Sequence, residues 1–371
     1  MKKPIHVYFH VGYEKTGTTS IQTFLRNHEE RLAGLGYLYP RSLGKISQYQ
    51  VVRTCKTEKV LSNIAPDGEG ASPERDFEAH REFIRDRLTR EIRRSRCSNV
   101  IVSSEHVSIH FNRPEEFERF KQLFAAFNAK FTVVIYLREQ VELLESRSYT
   151  AMVAGATQLP QFDKPAGSQR YLNFLRTLER LAEAFGRDNL IVRLFSRKSL
   201  VEGDVVKDFL SALNITGLKV EGTAVKNTSL GIAGLAILAK VNTQLENLDP
   251  RKRKPIRRRL LEVLHQSDDS PGYRIGTEAA AAIRDAFRPS NREVARIYFG
   301  RDEDLFEPKP ASNQNMPPSS SGKTEDILIA TILTFIDSEL ARGKQGRRNT
   351  SSALRQRRLK GDGLKQDSRV K

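Results

Sequence analysis

Ile5-His6-Val7-Tyr8-Phe9-His10-Val11-Gly12-Tyr13-Glu14-Lys15-Thr16-Gly17-Thr18-Thr19-Ser20 is the stretch that decides the fold. Ile5 to Val11 is a short, mostly apolar run of β-forming residues. Gly12 to Gly17 is a loop punctuated by glycine. Beyond it Ile21, Phe24, Leu25, His28, Leu32 and Leu35 recur at helical spacing, and Gly36 stands where a helix would stop. A glycine-containing turn between a strand and a helix leaves backbone N–H groups unpaired at the helix N-terminus, and those groups together with the helix dipole attract an anion. Gly17 permits close backbone approach, Thr16, Thr18, Thr19 and Ser20 carry hydroxyls, and Lys15 carries a full charge. An ordinary capped turn calls for one hydroxyl and not for this combination.

Working outward, Gly36 to Pro40 suggests a short second strand, and Asn99 to Ser104, Phe131 to Leu137 and Leu190 to Phe195 look like buried strands. Helical patterns lie between them at Phe77 to Arg94, Pro114 to Phe127, Glu139 to Val153 and Gln169 to Phe185, and continue at Leu200 to Leu213, Leu230 to Leu245, Glu278 to Phe287 and Asn291 to Tyr298. Alternation of this kind predicts an α/β fold of three layers, a P-loop-type arrangement with a mostly parallel central sheet and helices on both faces. One domain is expected over 1–307, then a Pro/Ser-rich linker over 308–323, a helix over 324–340 and a basic tail without apolar periodicity over 341–371.

Ligands of open α/β sheets sit beyond the carboxyl ends of the strands. After Asn99 to Ser104 come Glu105 and His106; after Phe131 to Leu137 comes Arg138, with Ser146 eight residues on and Ser148 ten. Arginine offers a fork of donors matched to phosphate, and either Glu105 or His106 is able to take a proton from an acceptor hydroxyl. The order Lys15-Thr16-Gly17-Thr18-Thr19 is not that of a nucleotide-triphosphatase loop, in which the lysine follows the last glycine. Ser321-Gly322-Lys323-Thr324 has that ending but follows a Pro/Ser run in place of a strand.

Gly12, Lys15, Gly17, Thr18 and Thr19 resemble the 5′-phosphosulfate loop of sulfotransferases, and Arg138 with Ser146 resembles the pair that grips the 3′-phosphate of their donor. The resemblance extends more weakly through Asp188 to Arg193, Asp208 to Leu210, Lys226-Asn227-Thr228, Ser290 to Arg292 and Tyr298 to Gly300, so that it spans about residues 4 to 307. Nothing matches the C-terminal RKG-type loop of the small-molecule cytosolic enzymes, which turns the comparison toward bacterial and glycan-directed members. The resemblance implies 3′-phosphoadenylyl sulfate as donor, a carbohydrate or glycolipid acceptor, and no metal. It implies Lys15, Thr16, Gly17, Thr18, Thr19, Ser20, Arg138, Ser146, Lys226 and Asn227 as donor-binding residues, and Lys15 with Glu105 or His106 as the catalytic groups.

The formal charge of +17 is concentrated in two places: Arg251 to Arg259 holds seven basic residues and no acid, and 341–371 holds eleven against two acids. The remaining chain is near neutral, so the charge describes two local runs and not the whole surface. Alternatives left open by the sequence are a P-loop nucleotide-dependent kinase and a non-enzymatic binder of nucleic acid through the basic tail. The tail lacks interleaved aromatics and no recognised nucleic-acid module is present, so a specific nucleic-acid partner is not expected and a peripheral membrane contact through the tail stays open. Cys55 and Cys97 have no metal-ligand spacing and form no disulfide framework; with no leader-like segment and no long apolar run, the expectation is a cytoplasmic protein.

Overall fold

The computed structural model describes residues 2–56, 77–160, 170–220, 229–268 and 270–307. The linker, the helix at 324–340, the tail and the Ser321–Thr324 sequence lie outside the described residues. In chain order the elements are β1 (Pro4–His10), α1 (Thr18–Asn27), α2 (Glu29–Gly34), β2 (Tyr37–Leu38), α3 (Gln50–Cys55), α4 (Phe77–Ser95), β3 (Asn99–Ser103), α5 (His106–His110), α6 (Pro114–Gln122), β4 (Asn128–Leu137), α7 (Gln140–Ala154), α8 (Phe174–Phe185), β5 (Leu190–Leu194), α9 (Val205–Ala212), α10 (Ile232–Leu245), α11 (Pro250–Ser267) and α12 (Thr277–Phe299). Contacts divide the chain into two compact units. The first takes the described residues up to Arg147, those of 170–220 and those from Thr277 onward; the second takes those from Ser148 to 160 and from 229 to Gly276.

The first unit is a five-stranded parallel sheet in the order β2-β3-β1-β4-β5. It is the α/β architecture that the alternating strand and helix patterns predict. Side chains of a strand alternate between faces, and β1 shows what each face holds. Phe9 stacks on Phe120 of α6 with ring centroids 3.9 Å apart and meets Phe185 of α8 edge-on at 6.1 Å. Tyr8 and His10 point the other way, toward Ile21, Phe24 and Leu25 of α1 and Val206, Phe209 and Leu210 of α9. Helices therefore cover both faces of the central strand, which is why it is apolar on both sides. Each fully buried Phe or Leu contributes roughly 1.5–3 kcal/mol, and both faces are lined with them.

One buried carboxylate ties the edge strand into this core. Asp208 of α9 is fully buried; it accepts from the Tyr136 hydroxyl (2.8 Å), Arg193 Nε (3.0 Å) and the Val201 N–H (3.1 Å). At the other end of the unit, Gln140 and Asn291 exchange two side-chain hydrogen bonds (2.9 and 3.1 Å), fastening α12 to the start of α7.

Several boundaries differ from the sequence expectation. The helix expected from Ile21 to Leu35 breaks at His28 into α1 and α2. The helix expected from Leu200 begins at Val205, because the Asp204 carboxylate accepts from the N–H groups of Val206 and Lys207 and caps it there. Likewise Asn173 caps α8 at Phe174, later than the expected Gln169. The two helical patterns around Ser290 are one helix, α12, with Pro289 inside it.

In the second unit α10 and α11 pack through Leu235, Leu238, Val241 and Leu245 against Ile256, Leu260 and Leu264. The basic run at Arg251–Arg259 is thus a helix, started by Asp249 and Pro250. Asn242 donates to the carbonyls of Met152 and Ala156 (both 2.8 Å) and accepts from Arg257 Nε (2.8 Å). Both cysteines are buried free thiols. Among the described residues no helix is long and apolar enough to cross a membrane.

His10 supplies a test of the core. It is fully buried, its Nδ1 pairs with Ser103 Oγ at 2.9 Å, and its Nε2 has no partner. Burial pushes its pKa down to about 3 from the ordinary 6.5. Between those values the unfolded chain binds a proton that the folded chain refuses, so this residue makes stability fall as pH falls through that window. His10→Gln cannot titrate there. Chemical denaturation at pH 6.5 and 4.5 should show wild type losing up to about 2–3 kcal/mol more than the variant; parallel losses would mean that His10 is not excluded from protonation.

Candidate functional site

The strand ends set the site. β1 and β3 finish level, with His10 opposite Ser103, while β4 pairs Val134 with His10 and then runs three residues further, to Leu137. The loop after β1 starts from this step: the Val11 N–H donates to Val134 O (2.9 Å), and on the other side the Ser104 N–H donates to His10 O (3.1 Å). Tyr13 is buried and anchors the loop from below, its hydroxyl donating to Thr177 Oγ1 of α8 at 2.8 Å. Glu14 and Lys15 are left facing outward, half-buried.

The loop's conformation is restrictive. Lys15 has φ 65°, a left-handed backbone uncommon for a residue with a side chain. Gly17, at φ 75°, precedes α1, and a Cβ there would lie 2.8 Å from Val205 and 3.1 Å from Phe195. Gly12 is required for a different reason: a Cβ on it would stand 2.4 Å from Thr18 Oγ1. The hydroxyls divide into two groups. Thr16 Oγ1 donates to Tyr13 O (2.6 Å) and Thr18 Oγ1 reaches the same oxygen at 3.5 Å, both from buried positions, so these two close the loop upon itself. Thr19 is exposed and Ser20 half-buried. No side chain caps α1 and no acid lies in its first turn, an arrangement that favours an anion at a helix N-terminus.

Arg138 follows β4 directly. Its Nη1 donates to the carbonyl of Lys15 at 2.9 Å, its Nε lies 3.3 Å from the Glu142 carboxylate, and its guanidinium lies over the Phe195 ring at 5.5 Å. The structure thus brings together the loop and the strand-end arginine that sequence alone treats separately. Ser146 lies two turns along α7 and is half-buried, whereas Ser148 is buried at 1% exposure. Lys226 and Asn227 lie outside the described residues.

Glu105 and His106 stand at the end of β3, where α5 begins. Ser108 Oγ donates to Gly12 O (2.8 Å), which locks α5 against the loop. Glu105 occupies the N-cap position, yet its carboxylate makes no capping hydrogen bond. It stays 26% exposed, and His106 Nε2 lies 4.0 Å from its Oε1, beyond hydrogen-bond length. The His106 ring packs edge-on against Tyr49 at 5.2 Å.

Charges complete the arrangement. Burial holds the Lys15 ammonium below its usual pKa; Glu14 and Glu105 pull it back up, and Arg138 and Arg147 push it down. Burial raises the Glu105 carboxyl above the ordinary carboxylate range, Glu14 adds to the rise, and Lys15 opposes it. Burial lowers His106, against the pull of Glu14. Glu14 itself pairs with Arg147 at 3.3 Å, and Arg147 lies over the Tyr171 ring at 4.4 Å. Glu14, Arg147, Tyr49 and Tyr171 were not among the residues singled out from sequence. Glu14 and Arg147 adjoin Lys15 and Ser146 in the chain and carry that much signal; Tyr49 and Tyr171 come from distant loops and carry none. The result is a charge-rich cluster at the strand ends: an uncapped helix N-terminus, a lysine of lowered pKa and a carboxylate of raised pKa.

No family model matches the chain, and no solved structure does. Over 203 residues it is 28% identical to a protein of Archaeoglobus fulgidus described as uncharacterized. The match takes in 54% of this chain and 54% of that protein, so the chain spans about half the length of the curated relative it matches.

Proposed function

We propose that the chain is a sulfotransferase that moves a sulfuryl group from 3′-phosphoadenylyl sulfate to a hydroxyl or amine, with a carbohydrate or glycolipid as acceptor. The observation that carries this reading is the hydrogen bond from Arg138 to the Lys15 carbonyl, with Glu105 close enough to raise the pKa of Lys15 against burial. It joins a cradle for a 5′-phosphosulfate to an arginine suited to a 3′-phosphate, and sets a base beside them. The residues present fit the donor: an uncapped helix N-terminus, Lys15, Thr19 and Ser20 for its 5′ side, and Arg138 with Ser146 for its 3′ side.

The chemistry asks little covalent work of the protein. One S–O bond to the donor breaks as one forms to the acceptor, and the acceptor proton passes to Glu105. Negative charge grows on the leaving oxygen, where the Lys15 ammonium and the first N–H groups of α1 stabilise it. Glu105 suits the base better than His106, because burial and Glu14 raise its basicity while burial lowers that of His106. The phosphosulfate group of the donor carries fewer charges than a triphosphate chain, so the proposed transfer needs no metal ion in principle.

Arg138→Ala removes a charge-assisted contact to the 3′-phosphate and also loosens the Lys15 loop. Calorimetry should show 3′,5′-adenosine bisphosphate losing about 10–100-fold in affinity, with a clearly smaller loss for 5′-AMP. Equal losses would leave Arg138 as a loop support with no 3′ role.

Turnover is followed as release of the bisphosphate from the donor, with a panel of free glycans and glycolipids as acceptors. Lys15→Ala should lower the rate by about 10²–10³-fold and Glu105→Gln by about 10²–10⁴-fold with donor affinity nearly unchanged. The pH profile separates the two bases. A base must be ionised to act, so activity rises with pH through the raised pKa of Glu105, above the 4.5 of an ordinary glutamate, and that acid limb disappears in Glu105→Gln. A limb that survives there and vanishes in His106→Ala assigns the base to His106, and loss of all activity with EDTA favours metal-dependent phosphoryl transfer.

A further inference from the structure

A second charged concavity lies in the first unit, built by α4 and the segment after β2. It is an open cleft of about 680 Å³ lined by Arg41, Ser42, Phe83, Arg87, Arg90 and Arg94, with Glu91 and Ser95. Phe83, Arg87, Arg90 and Arg94 recur at intervals of four, three and four, which places them on one face of the helix. Such a run of like charges destabilises a helix unless something outside it compensates.

The acid in the cleft makes no ion pair with this row. Both Glu91 oxygens are used by the backbone, accepting from the N–H groups of Arg41 (2.6 Å) and Ser42 (2.8 Å). That carboxylate therefore builds the floor of the cleft by pinning the segment to α4. Arg41 turns its guanidinium to Glu29. Among the described residues none of Arg87, Arg90 and Arg94 has a carboxylate partner. Arg87 lies over the Phe83 ring at 5.4 Å, and Arg90 reaches a backbone carbonyl of its own helix at 3.3 Å.

Two further observations point to a ligand. Ser42 is 6% exposed and its hydroxyl has no hydrogen-bond partner, a buried polar group of the kind that folded proteins rarely leave unsatisfied. Phe83 is 53% exposed, a large aromatic face presented to water in the midst of guanidinium groups. On the other basic helix four of the arginines are engaged. On α11, Arg251 pairs with Asp249, Arg253 holds two backbone carbonyls, Arg257 holds Asn242 and Arg259 pairs with Glu262.

We infer that the α4 cleft is a binding site for a small polyanion bearing phosphate or sulfate esters on a ring. The forks of Arg87, Arg90 and Arg94 take the ester oxygens, Phe83 takes the face of the ring, and the segment of Arg41 and Ser42 forms the floor. The volume suits a nucleotide or a disaccharide. The site draws on none of the residues assigned to the transfer reaction and stands whether or not that reading holds.

Calorimetric titration of the full chain tests this with two probes, ATP and a trisulfated heparin disaccharide, at near-physiological salt. Arg87→Gln/Arg94→Gln removes two forks while keeping good helix formers, and circular dichroism checks that α-helical content is unchanged. Lys254→Gln/Arg258→Gln removes the same charge from the exposed face of α11. The cleft variant should weaken binding of whichever probe binds by about 10-fold or more, Phe83→Ala should weaken it as well, and the α11 variant should stay within about twofold of wild type. Preference for ATP identifies the ligand as a phosphate ester, preference for the disaccharide as a sulfate ester. The inference is overturned if neither probe binds, or if the α11 variant loses as much as the cleft variant.

Discussion

The hydrogen bond from Arg138 to the Lys15 carbonyl depends on a difference in strand length. β1 and β3 end together, and a loop leaving β1 would drift across their ends if nothing stood beside it. β4 continues for three residues and carries Arg138 up alongside the loop. Lys15 is held there in a left-handed backbone conformation that costs a residue with a side chain of order 1 kcal/mol or more. A hydrogen bond from a charged donor is worth about 1.5–3 kcal/mol, enough to offset that strain. The position of the Lys15 ammonium, and hence its coupling to Glu14 and Glu105, follows from this contact.

Strain also explains how the loop's polar residues are divided. Three hydroxyls in a row after a glycine suggest three ligands for an anion, but a turn this tight has to satisfy its own carbonyls first. Thr16 and Thr18 both turn to Tyr13 O, and Tyr13 in turn is pinned through its hydroxyl to α8. Their work is to hold the shape in which Thr19, Ser20 and the backbone N–H groups face outward. Gly12 belongs to the same constraint, since a methyl group there would displace Thr18.

Much of this was legible in the sequence, for reasons that are local. β1, its loop and α1 are contiguous, and their signals are a run of β-formers, glycines and a helical repeat. Arg138, Glu105 and His106 were legible one step further out, because a parallel sheet brings all its strand ends to one edge. What escaped was set by packing. α11 was hidden by its charge: Ile256, Leu260 and Leu264 form an apolar row at every fourth residue beneath the arginines, but seven basic residues and an internal Pro255 obscure it. Pro289 hid the continuity of α12 in the same way. Capping by Asp204 and Asn173 moved two helix starts by five residues each, since a short polar side chain that satisfies the first N–H groups outweighs the apolar repeat upstream. The α4 cleft escaped because an arginine row on a helix looks like a solvated face until the segment carrying Ser42 is folded against it.

The charges around the loop come close to cancelling, and that balance governs how the site responds to a ligand. Lys15, Arg138 and Arg147 face Glu14, Glu105 and Glu142. With all three carboxylates ionised the cluster is near neutral, so its attraction for an anion comes from short-range donors: the α1 N-terminus and the two cation heads. A doubly charged anion seated on those donors draws positive field away from Glu105, whose pKa the Lys15 ammonium now holds down against burial and Glu14. Its basicity therefore rises when the anion is in place. Binding at the loop and proton uptake at Glu105 are linked by the same lysine, and by reciprocity a proton on Glu105 tightens the hold on the anion. Under the proposed transfer, a base that strengthens as the neighbouring anion settles is suited to taking a proton from an incoming hydroxyl at that moment, and the linkage requires no movement of the backbone.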